Sequence, residues 1–177
     1  MNTCITMLRG INVSGKNTIR MEELRELYET LGFKKVQTYV QSGNVIFETS
    51  DTNPSELTTK IEKKIKQKFT FDVPVFIRTR GDFEKLIKSS PFLEKDPTKL
   101  HVTFLSNKPT KPPLEEIRAA KAEDEEFSII GKEVYLFCPN GYGNTKLSNN
   151  FFERKLNVRA TTRNWKTVNT LFSLAKK

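Results

Sequence analysis

A glycine-punctuated segment near the N-terminus has the spacing of a phosphate-binding loop. It runs from Gly10 to Lys16 (GINVSGK), fits the pattern G-x-x-x-x-G-K and lies between a predicted strand and a predicted helix. A P-loop also needs Ser or Thr directly after the lysine to hold magnesium, and position 17 is Asn. The apolar spacing of the helix begins only near Met21, so the lysine does not open the helix. The sequence therefore argues against NTP hydrolysis.

The same segment is compatible with two other interpretations. Ile11–Thr18 is either a plain polar loop in which Gly15 supplies a positive φ, or a flexible anion-binding loop. In the second interpretation, charge comes from Arg9 and Lys16, and hydrogen-bond donors come from Asn12 and Asn17. A nearby polar turn, Gln41–Asn44, offers Ser42 and Asn44; it is a tight turn, whose side chains would line the same site if the first strand ends beside it.

Two polar segments in the C-terminal part of the chain each lead into a predicted helix. They are Gly141–Lys146 and Arg159–Trp165. Because helix N-termini attract anions, the candidate ligand contacts in these segments are Tyr142, Lys146, Thr162, Arg163 and Asn164. The alternative is ordinary helix capping by Thr145, Thr162 or Asn164, which needs no ligand.

Few other residues suggest chemistry. The single histidine, His101, excludes a multi-histidine metal site, and its place in a predicted strand indicates a packed residue. Neither Cys4 nor Cys138 has a neighbouring His or Cys, so nucleophilic use is not expected and both fit a reducing compartment. The acidic run Glu123–Glu126 lacks the spacing of a metal-binding loop. We predict no catalytic constellation, no metal and no cofactor.

The charge is strongly basic and unevenly distributed. The formal net charge is +9, and residues 141–177 carry eight Lys or Arg against one acidic residue, Glu153. Such a chain attracts polyanions and phosphates, although a solvated basic surface explains the same composition. The sequence has no apolar run long enough to span a bilayer and no signal-peptide pattern, which predicts a cytoplasmic protein with no membrane contact.

Apolar periodicity predicts an α+β fold built from two ferredoxin-like halves. Residues 1–80 follow the order β-α-β-β-α-β, which gives an antiparallel sheet with two helices on one face. Residues 81–177 follow α-β-α-β-β-α-α, which resembles the same unit without its last strand and with an extra C-terminal helix. RNA-recognition motifs share this order, but the predicted central strands lack the aromatic platform that such motifs use.

Four segments together resemble one known family. LRGINVSGKNTIRM, TYVQSGNVIF, GYGNTKLSNNFFERKL and ATTRNWKTV are similar to the bacterial domain-of-unknown-function family 1697, with Ser14 where the family often has Gly. The resemblance implies a cytosolic bacterial protein of two ferredoxin-like halves, and it supplies no activity and no catalytic residues. It also favours a single site formed by the polar loop, the turn and the two helix starts.

Three functional hypotheses follow from these residues. The leading one is a binding protein for a phosphate-bearing ligand, with nucleic acid preferred. Phosphate contacts would come from Arg9, Lys16, Lys146 and Arg163, and polar contacts from Asn12, Asn44, Tyr142 and Asn164. The alternative is an enzyme acting on a small anionic metabolite or nucleotide in the cleft between the halves. The third is a scaffold whose basic tail meets an acidic protein partner.

Overall fold

The computed structural model describes residues 1–177 and contains eight strands and six α-helices. The strands are β1 (Asn2–Leu8), β2 (Lys34–Tyr39), β3 (Asn44–Thr49), β4 (Val75–Thr79), β5 (Leu100–Leu105), β6 (Glu126–Ile130), β7 (Glu133–Phe137) and β8 (Ala160–Asn164). The helices are α1 (Met21–Thr30), α2 (Pro54–Phe69), α3 (Arg80–Lys88), α4 (Leu114–Ala120), α5 (Asn149–Leu156) and α6 (Trp165–Ala175).

Contacts divide the chain into two units, which are described separately. Unit 1 comprises Met1–Lys85 with Thr170–Lys177, and unit 2 comprises Leu86–Asn169. The sequence predicts a division after residue 80, with the whole C-terminal helix in the second half. The contact-based units differ from that division mainly because the last eight residues group with unit 1.

Unit 1 is an antiparallel sheet of order β2-β3-β1-β4 with α1 and α2 on one face. The helix α2 forms because Asn53 caps its N-terminus, accepting from the Glu56 amide at 3.3 Å, and Pro54 fits the first turn. Its apolar stripe, Leu57, Ile61 and Ile65, is buried against the sheet. The i, i+4 spacing of the sequence thus predicts the buried face correctly.

Unit 2 repeats the same topology. Its sheet has the order β6-β7-β5-β8, all neighbours are antiparallel, and α4 and α5 contribute Ile117, Phe151 and Phe152 to the core on one face. Two sheets of this kind confirm the predicted α+β fold with split β-α-β halves and a C-terminal helix. No helix is both long and apolar enough to cross a membrane.

One prediction about unit 2 is wrong. This half is predicted without its last strand, with Arg159–Trp165 as a polar segment that leads into the last helix, but Ala160–Asn164 is the strand β8, paired with β5. The segment has the period-two pattern of an edge strand, since Ala160 is buried in the helix-side core and Arg163 lies on the other side. Because most of its side chains are polar, the alternation of apolar and polar residues that predicts a strand is not visible in the sequence.

Candidate functional site

The Arg9–Arg20 segment, termed the 9–20 loop, is a small hairpin rather than a phosphate-binding loop. The Lys16 amide donates to the Val13 carbonyl at 2.9 Å, and the Asn12 amide donates to the Asn17 carbonyl at 3.1 Å. The two residues at the turn, Ser14 and Gly15, both have positive φ, at 53° and 72°, as a type I′ turn requires. Amides bonded within the hairpin do not cradle a phosphate, and α1 begins only at Met21.

The asparagines of the 9–20 loop hold its shape. The Asn12 side chain donates to the carbonyls of Ile19 at 3.0 Å and Gln41 at 2.8 Å, and it accepts from the Ile19 amide at 2.8 Å. The Asn17 side chain donates to the Gly10 carbonyl at 3.1 Å. Both amide protons of Asn12 are therefore bonded within the protein, so its predicted role as a donor to a ligand is replaced by a structural one.

The turn between β2 and β3 lies beside the 9–20 loop. The Gly43 carbonyl accepts from the Leu8 amide at 2.8 Å, so β1 ends beside this turn, as a shared site requires. Asn44 is fully buried and donates to the Tyr39 carbonyl at 2.9 Å and to the Ser42 hydroxyl at 3.1 Å. The Asn44 side chain therefore stabilises the turn through hydrogen bonds inside the protein and does not face solvent.

The 9–20 loop and the adjacent turn carry several charged or polar side chains at the surface. Lys16, Asn17 and Ser42 are exposed and Arg9 is half-buried. The ammonium group of Lys16 has no carboxylate within ion-pair distance. Contact of Arg9, Lys16 and Ser42 with a ligand stays a prediction, whereas the Asn17 side chain is bonded to the Gly10 carbonyl.

A polar cluster lies on the helix-covered side of the unit 2 sheet. The Tyr142 hydroxyl donates to Thr162 Oγ1 at 3.1 Å, and Thr162 donates to Asn149 Oδ1 at 2.7 Å. Thr103 Oγ1 lies 2.7 Å from Thr162 Oγ1, and the His101 ring stacks on Tyr142 with centroids 4.8 Å apart. We term these five residues the Tyr142 cluster. Its members come from three elements and one turn, and Tyr142 and Asn149 are partly exposed.

His101 contributes the imidazole of the Tyr142 cluster. Its Nδ1 atom is buried without a hydrogen-bond partner, and burial lowers the pKa of the imidazole below its usual 6.5. The ring is therefore neutral at pH 7 and carries no charge toward an anion. The sequence predicts His101 only as a packed residue and does not single out Thr103 or Asn149. Alternation along β5 places His101 and Thr103 on one face, but Thr162 joins them only through β8.

The other predicted residues of unit 2 do not join the Tyr142 cluster. Lys146 is exposed and precedes α5, whose N-cap is Ser148, accepting from the Phe151 amide at 3.2 Å. The helix α5 therefore begins at Asn149, beyond the Gly141–Lys146 segment. Asn164 caps α6 by accepting from the Thr167 amide at 2.8 Å, as the capping interpretation predicts.

Arg163 is not a surface contact. Only 7% of it is exposed, and its guanidinium donates to the Thr161 hydroxyl at 2.9 Å and the Thr162 carbonyl at 3.0 Å. Burial lowers the pKa of Arg163 to about 10, so it stays protonated at pH 7. Strand alternation turns it away from Tyr142 and Thr162, which is why its predicted phosphate contact does not fit the structure.

The two cysteines are buried and protonated. Burial raises the pKa of both Cys4 and Cys138 to about 11, with smaller contributions from Asp82 and Glu125 respectively. A thiol of this pKa is almost entirely protonated at pH 7 and is a poor nucleophile.

Two antiparallel β-α-β-β-α-β units with polar loops at strand ends define a duplicated ferredoxin-like α+β protein. Residues 1–135 match the family model of proteins of unknown function DUF1697, and the chain belongs to this family. It is also similar in structure to the conserved bacterial protein SP0830 from Streptococcus pneumoniae, with 24% identity, a TM-score of 0.74 and 98% of each chain covered. No protein with a curated description matches the chain.

Proposed function

We propose that this protein binds a phosphate-bearing ligand, with nucleic acid as the first candidate. The observation that carries the proposal is the pair of exposed ammonium groups on Lys16 and Lys146, neither of which has an ion-pair partner, in a chain of net charge +9. Lysines that are already neutralised by carboxylates offer little to a phosphate, whereas unpaired ones release counterions from nucleic acid when they bind.

The segments that carry these lysines are held by hydrogen bonds. In unit 1 the side chains of Asn12 and Asn17 fasten the 9–20 loop. In unit 2 the Thr145 hydroxyl accepts from the Leu147 amide at 3.1 Å, directly beside Lys146. A fixed loop loses less conformational entropy when a ligand binds. This supports contact with phosphate by Lys16, Lys146 and Arg9. Ser42 in unit 1 and Tyr142 and Thr162 in unit 2 are candidate polar contacts.

The proposal assigns no ligand contact to the residues that hold the structure. Asn12, Asn17 and Asn44 brace loops, Asn164 caps a helix, and Arg163 is buried. Reversing the charge of Arg163 would test folding rather than binding. Lys16 and Lys146 are exposed, so their substitution tests the surface alone.

The test is fluorescence anisotropy of labelled single-stranded and duplex RNA and DNA at low and physiological salt. The variant Lys16→Glu/Lys146→Glu should bind at least about tenfold more weakly, and its salt slope on duplex DNA should fall by about 1.8, because two phosphate contacts are lost. The matched control is Lys108→Glu/Lys121→Glu, which changes the net charge equally on another surface of unit 2 and should retain most of the affinity.

Three results would contradict the proposal. They are no binding at physiological salt, a salt slope unchanged in Lys16→Glu/Lys146→Glu, or equal losses in the two double variants. Equal losses would mean that net charge, rather than these two segments, attracts the polyanion. Thermal stabilisation by a mononucleotide without any binding of polynucleotides would redirect the proposal to a small ligand.

A further inference from the structure

Two exposed valines lie on neighbouring polar segments of unit 1. Val13 is on the 9–20 loop and is 58% exposed, and Val40 opens the turn of residues 40–43 between β2 and β3 and is 46% exposed. We term the 9–20 loop and this turn together the loop pair. Its two segments are joined directly, because the Asn12 side chain donates to the Gln41 carbonyl at 2.8 Å. Each valine is adjacent in the chain to one residue of this hydrogen bond.

The backbone of Val40 has an unfavourable conformation. Its φ is 52°, in the left-handed region that β-branched residues rarely adopt, because there the Cβ atom lies too close to the following carbonyl oxygen. Thr70 is also β-branched with a positive φ, but it ends α2, where a left-handed residue is usual. The other left-handed residues of the loop pair are glycine, asparagine or serine, namely Gly10, Asn12, Ser14, Gly15, Asn17 and Gly43.

Burial does not offset the strain at Val40. Neither Val40 nor Val13 is among the apolar residues that form the core of unit 1 or pack against it. Strained residues that the surrounding structure holds in place are concentrated at sites that contact ligands. A strained valine with its side chain half in solvent therefore points to a contact with a ligand and not to a contribution to packing.

The charge of the loop pair is entirely basic. Residues 1–21 and 34–47 contain no Asp or Glu, and the exposed ammonium group of Lys16 has no ion-pair partner. The acidic residues nearest to these segments are paired with basic side chains, namely Glu22 and Glu23 with Arg20, Glu48 with Lys35 and Asp72 with Lys66. The loop pair therefore fits an anion that also has an apolar surface.

We propose that the loop pair binds a single-stranded nucleic acid, with Val13 and Val40 against its bases and Lys16 on a neighbouring phosphate. Base faces are apolar, and in a single strand they are open to side chains, whereas in a duplex they are stacked on one another. This inference rests on the proposed function. It narrows the ligand from nucleic acid in general to single strands, and it adds contacts to the bases.

The probes are three fluorescein-labelled ligands of about 12 nucleotides, a length within the range of known single-strand sites. They are oligothymidylate, an abasic strand of equal length, and a duplex that contains the oligothymidylate. Anisotropy at physiological salt measures each affinity. Oligothymidylate should bind at least about fivefold more tightly than the abasic strand, because the two strands carry the same phosphates and only one of them has bases.

The variant Val13→Ser/Val40→Asn removes both apolar side chains. It should bind oligothymidylate at least about fivefold more weakly and the abasic strand and the duplex within about twofold of the unsubstituted protein, since the phosphate contacts remain. The matched control is Leu93→Ser/Ile130→Asn, which replaces two apolar residues of unit 2 that are 59% and 42% exposed. This control should leave all three affinities unchanged.

A stability measurement separates a contact with the ligand from support of the turn. Asparagine tolerates the left-handed conformation, so in Val40→Asn the midpoint of chemical denaturation should stay the same or rise while oligothymidylate binding weakens. If Val40 only supported the turn, the midpoint and the affinity would fall together, and that result would remove Val40 from the site.

The outcomes distinguish this inference from the proposed function. Equal binding of oligothymidylate and the abasic strand would refute the base contacts alone, provided that Lys16→Glu/Lys146→Glu still weakens both. No binding of any probe would refute both proposals. If Val13→Ser/Val40→Asn lost affinity for phosphatidylserine vesicles and not for oligothymidylate, the anion would be a lipid surface, and the base contacts would again be refuted.

Discussion

The two units share a strand order but differ at the same positions of their central strands. On the helix-covered side, β1 carries Cys4 and Thr6 where β5 carries His101 and Thr103, as their pairing with the fourth strand of each unit shows. In unit 1 the Thr6 hydroxyl lies 2.7 Å from the hydroxyl of the fully buried Tyr28, and the surroundings are otherwise apolar. This side of unit 1 is a closed core.

In unit 2 the polar positions continue to the surface. Thr103 faces Thr162 on the neighbouring strand, where unit 1 has Ile77 opposite Thr6. Thr162 then bonds to Tyr142, which is partly exposed. The fourth strands thus differ at one position, where unit 1 has Ile77 and unit 2 has Thr162. The hydrogen bond of Thr6 in unit 1 is closed to solvent, whereas the network around Thr162 in unit 2 reaches a partly exposed residue. The fold alone does not decide which of its faces can meet a ligand.

The units also share one unusual feature, a buried arginine on the opposite side of the fourth strand. Arg78 faces Ile5 in unit 1, and Arg163 faces Val102 in unit 2. Each guanidinium donates to the carbonyl of the preceding residue, at 2.8 Å in Arg78 and 3.0 Å in Arg163. The repetition indicates that Arg163 belongs to the common architecture, not to a ligand site in one unit.

The largest expected difference between the units concerns the turns that follow their second strand. Gly43→Ala should destabilise the protein by about 2–4 kcal/mol, because it combines a left-handed backbone with overpacking. The φ of Gly43 is 86°, and a Cβ there would lie 2.6 Å from Ile11 Cδ1 and 3.0 Å from Leu8 Cβ. Chemical denaturation followed by circular dichroism measures the free energy of unfolding.

The matched variant in unit 2 is Gly131→Ala. Its φ is 61°, but a Cβ there meets nothing within 4 Å. Only the left-handed backbone then costs free energy, about 1 kcal/mol. Equal losses in the two variants would show that the packing of Gly43 between the 9–20 loop and β1 contributes nothing.

Several of these features could be predicted from the sequence. Apolar stripes such as Leu57, Ile61 and Ile65 predict helices with one buried face, and the resulting element order is sufficient for the fold. The strand β8 is not predicted, because Thr161, Thr162 and Arg163 also fit a polar helix start. Without β8 in the predicted fold, the sequence gives no reason to place Thr162 beside Thr103.

The roles of the predicted site residues depend on which partners the fold brings within reach. The sequence identifies Asn12 and Asn44 as polar residues of loops, and the structure places both in loops or beside a turn. The side-chain amides of Asn12 and Asn44 donate to the Gln41 and Tyr39 carbonyls respectively. These carbonyls come close only after the strands pair, so the sequence does not predict that the amides bond within the protein and not to a ligand. Turn propensity predicts that such residues lie in turns, but it does not predict which hydrogen bonds their side chains make.

A smaller effect compares the tyrosines of the two polar groups. Tyr28→Phe leaves the buried Thr6 hydroxyl without this partner and should cost about 1–3 kcal/mol of unfolding free energy. Tyr142→Phe removes a bond that water can replace, so it should cost less than about 1 kcal/mol. Denaturation of both variants under one set of conditions measures the difference. Similar losses would mean that the Tyr142 cluster is as closed to solvent as the core of unit 1.

The smallest expected effect is the pH dependence of stability that His101 contributes in unit 2. Cys4, at the equivalent position of unit 1, should contribute none. Burial lowers the pKa of His101 in the folded protein below the 6.5 of the unfolded chain, so between these values the unfolded state binds more protons. Stability must therefore fall as the pH drops from 6.5 through the lowered pKa. Between pH 7.5 and pH 5.5, the free energy of unfolding should fall less in His101→Gln than in the unsubstituted protein.

The control for this prediction is Cys4→Ala. Because burial raises the pKa of the Cys4 thiol to about 11, this group does not titrate between pH 5.5 and 7.5, and its removal should leave the pH dependence unchanged. An identical pH dependence in His101→Gln and the unsubstituted protein would show that His101 gains a proton as readily in the folded chain as in the unfolded one. The Tyr142 cluster would then be hydrated around the imidazole, and the contrast with the closed core of unit 1 would be sharper still.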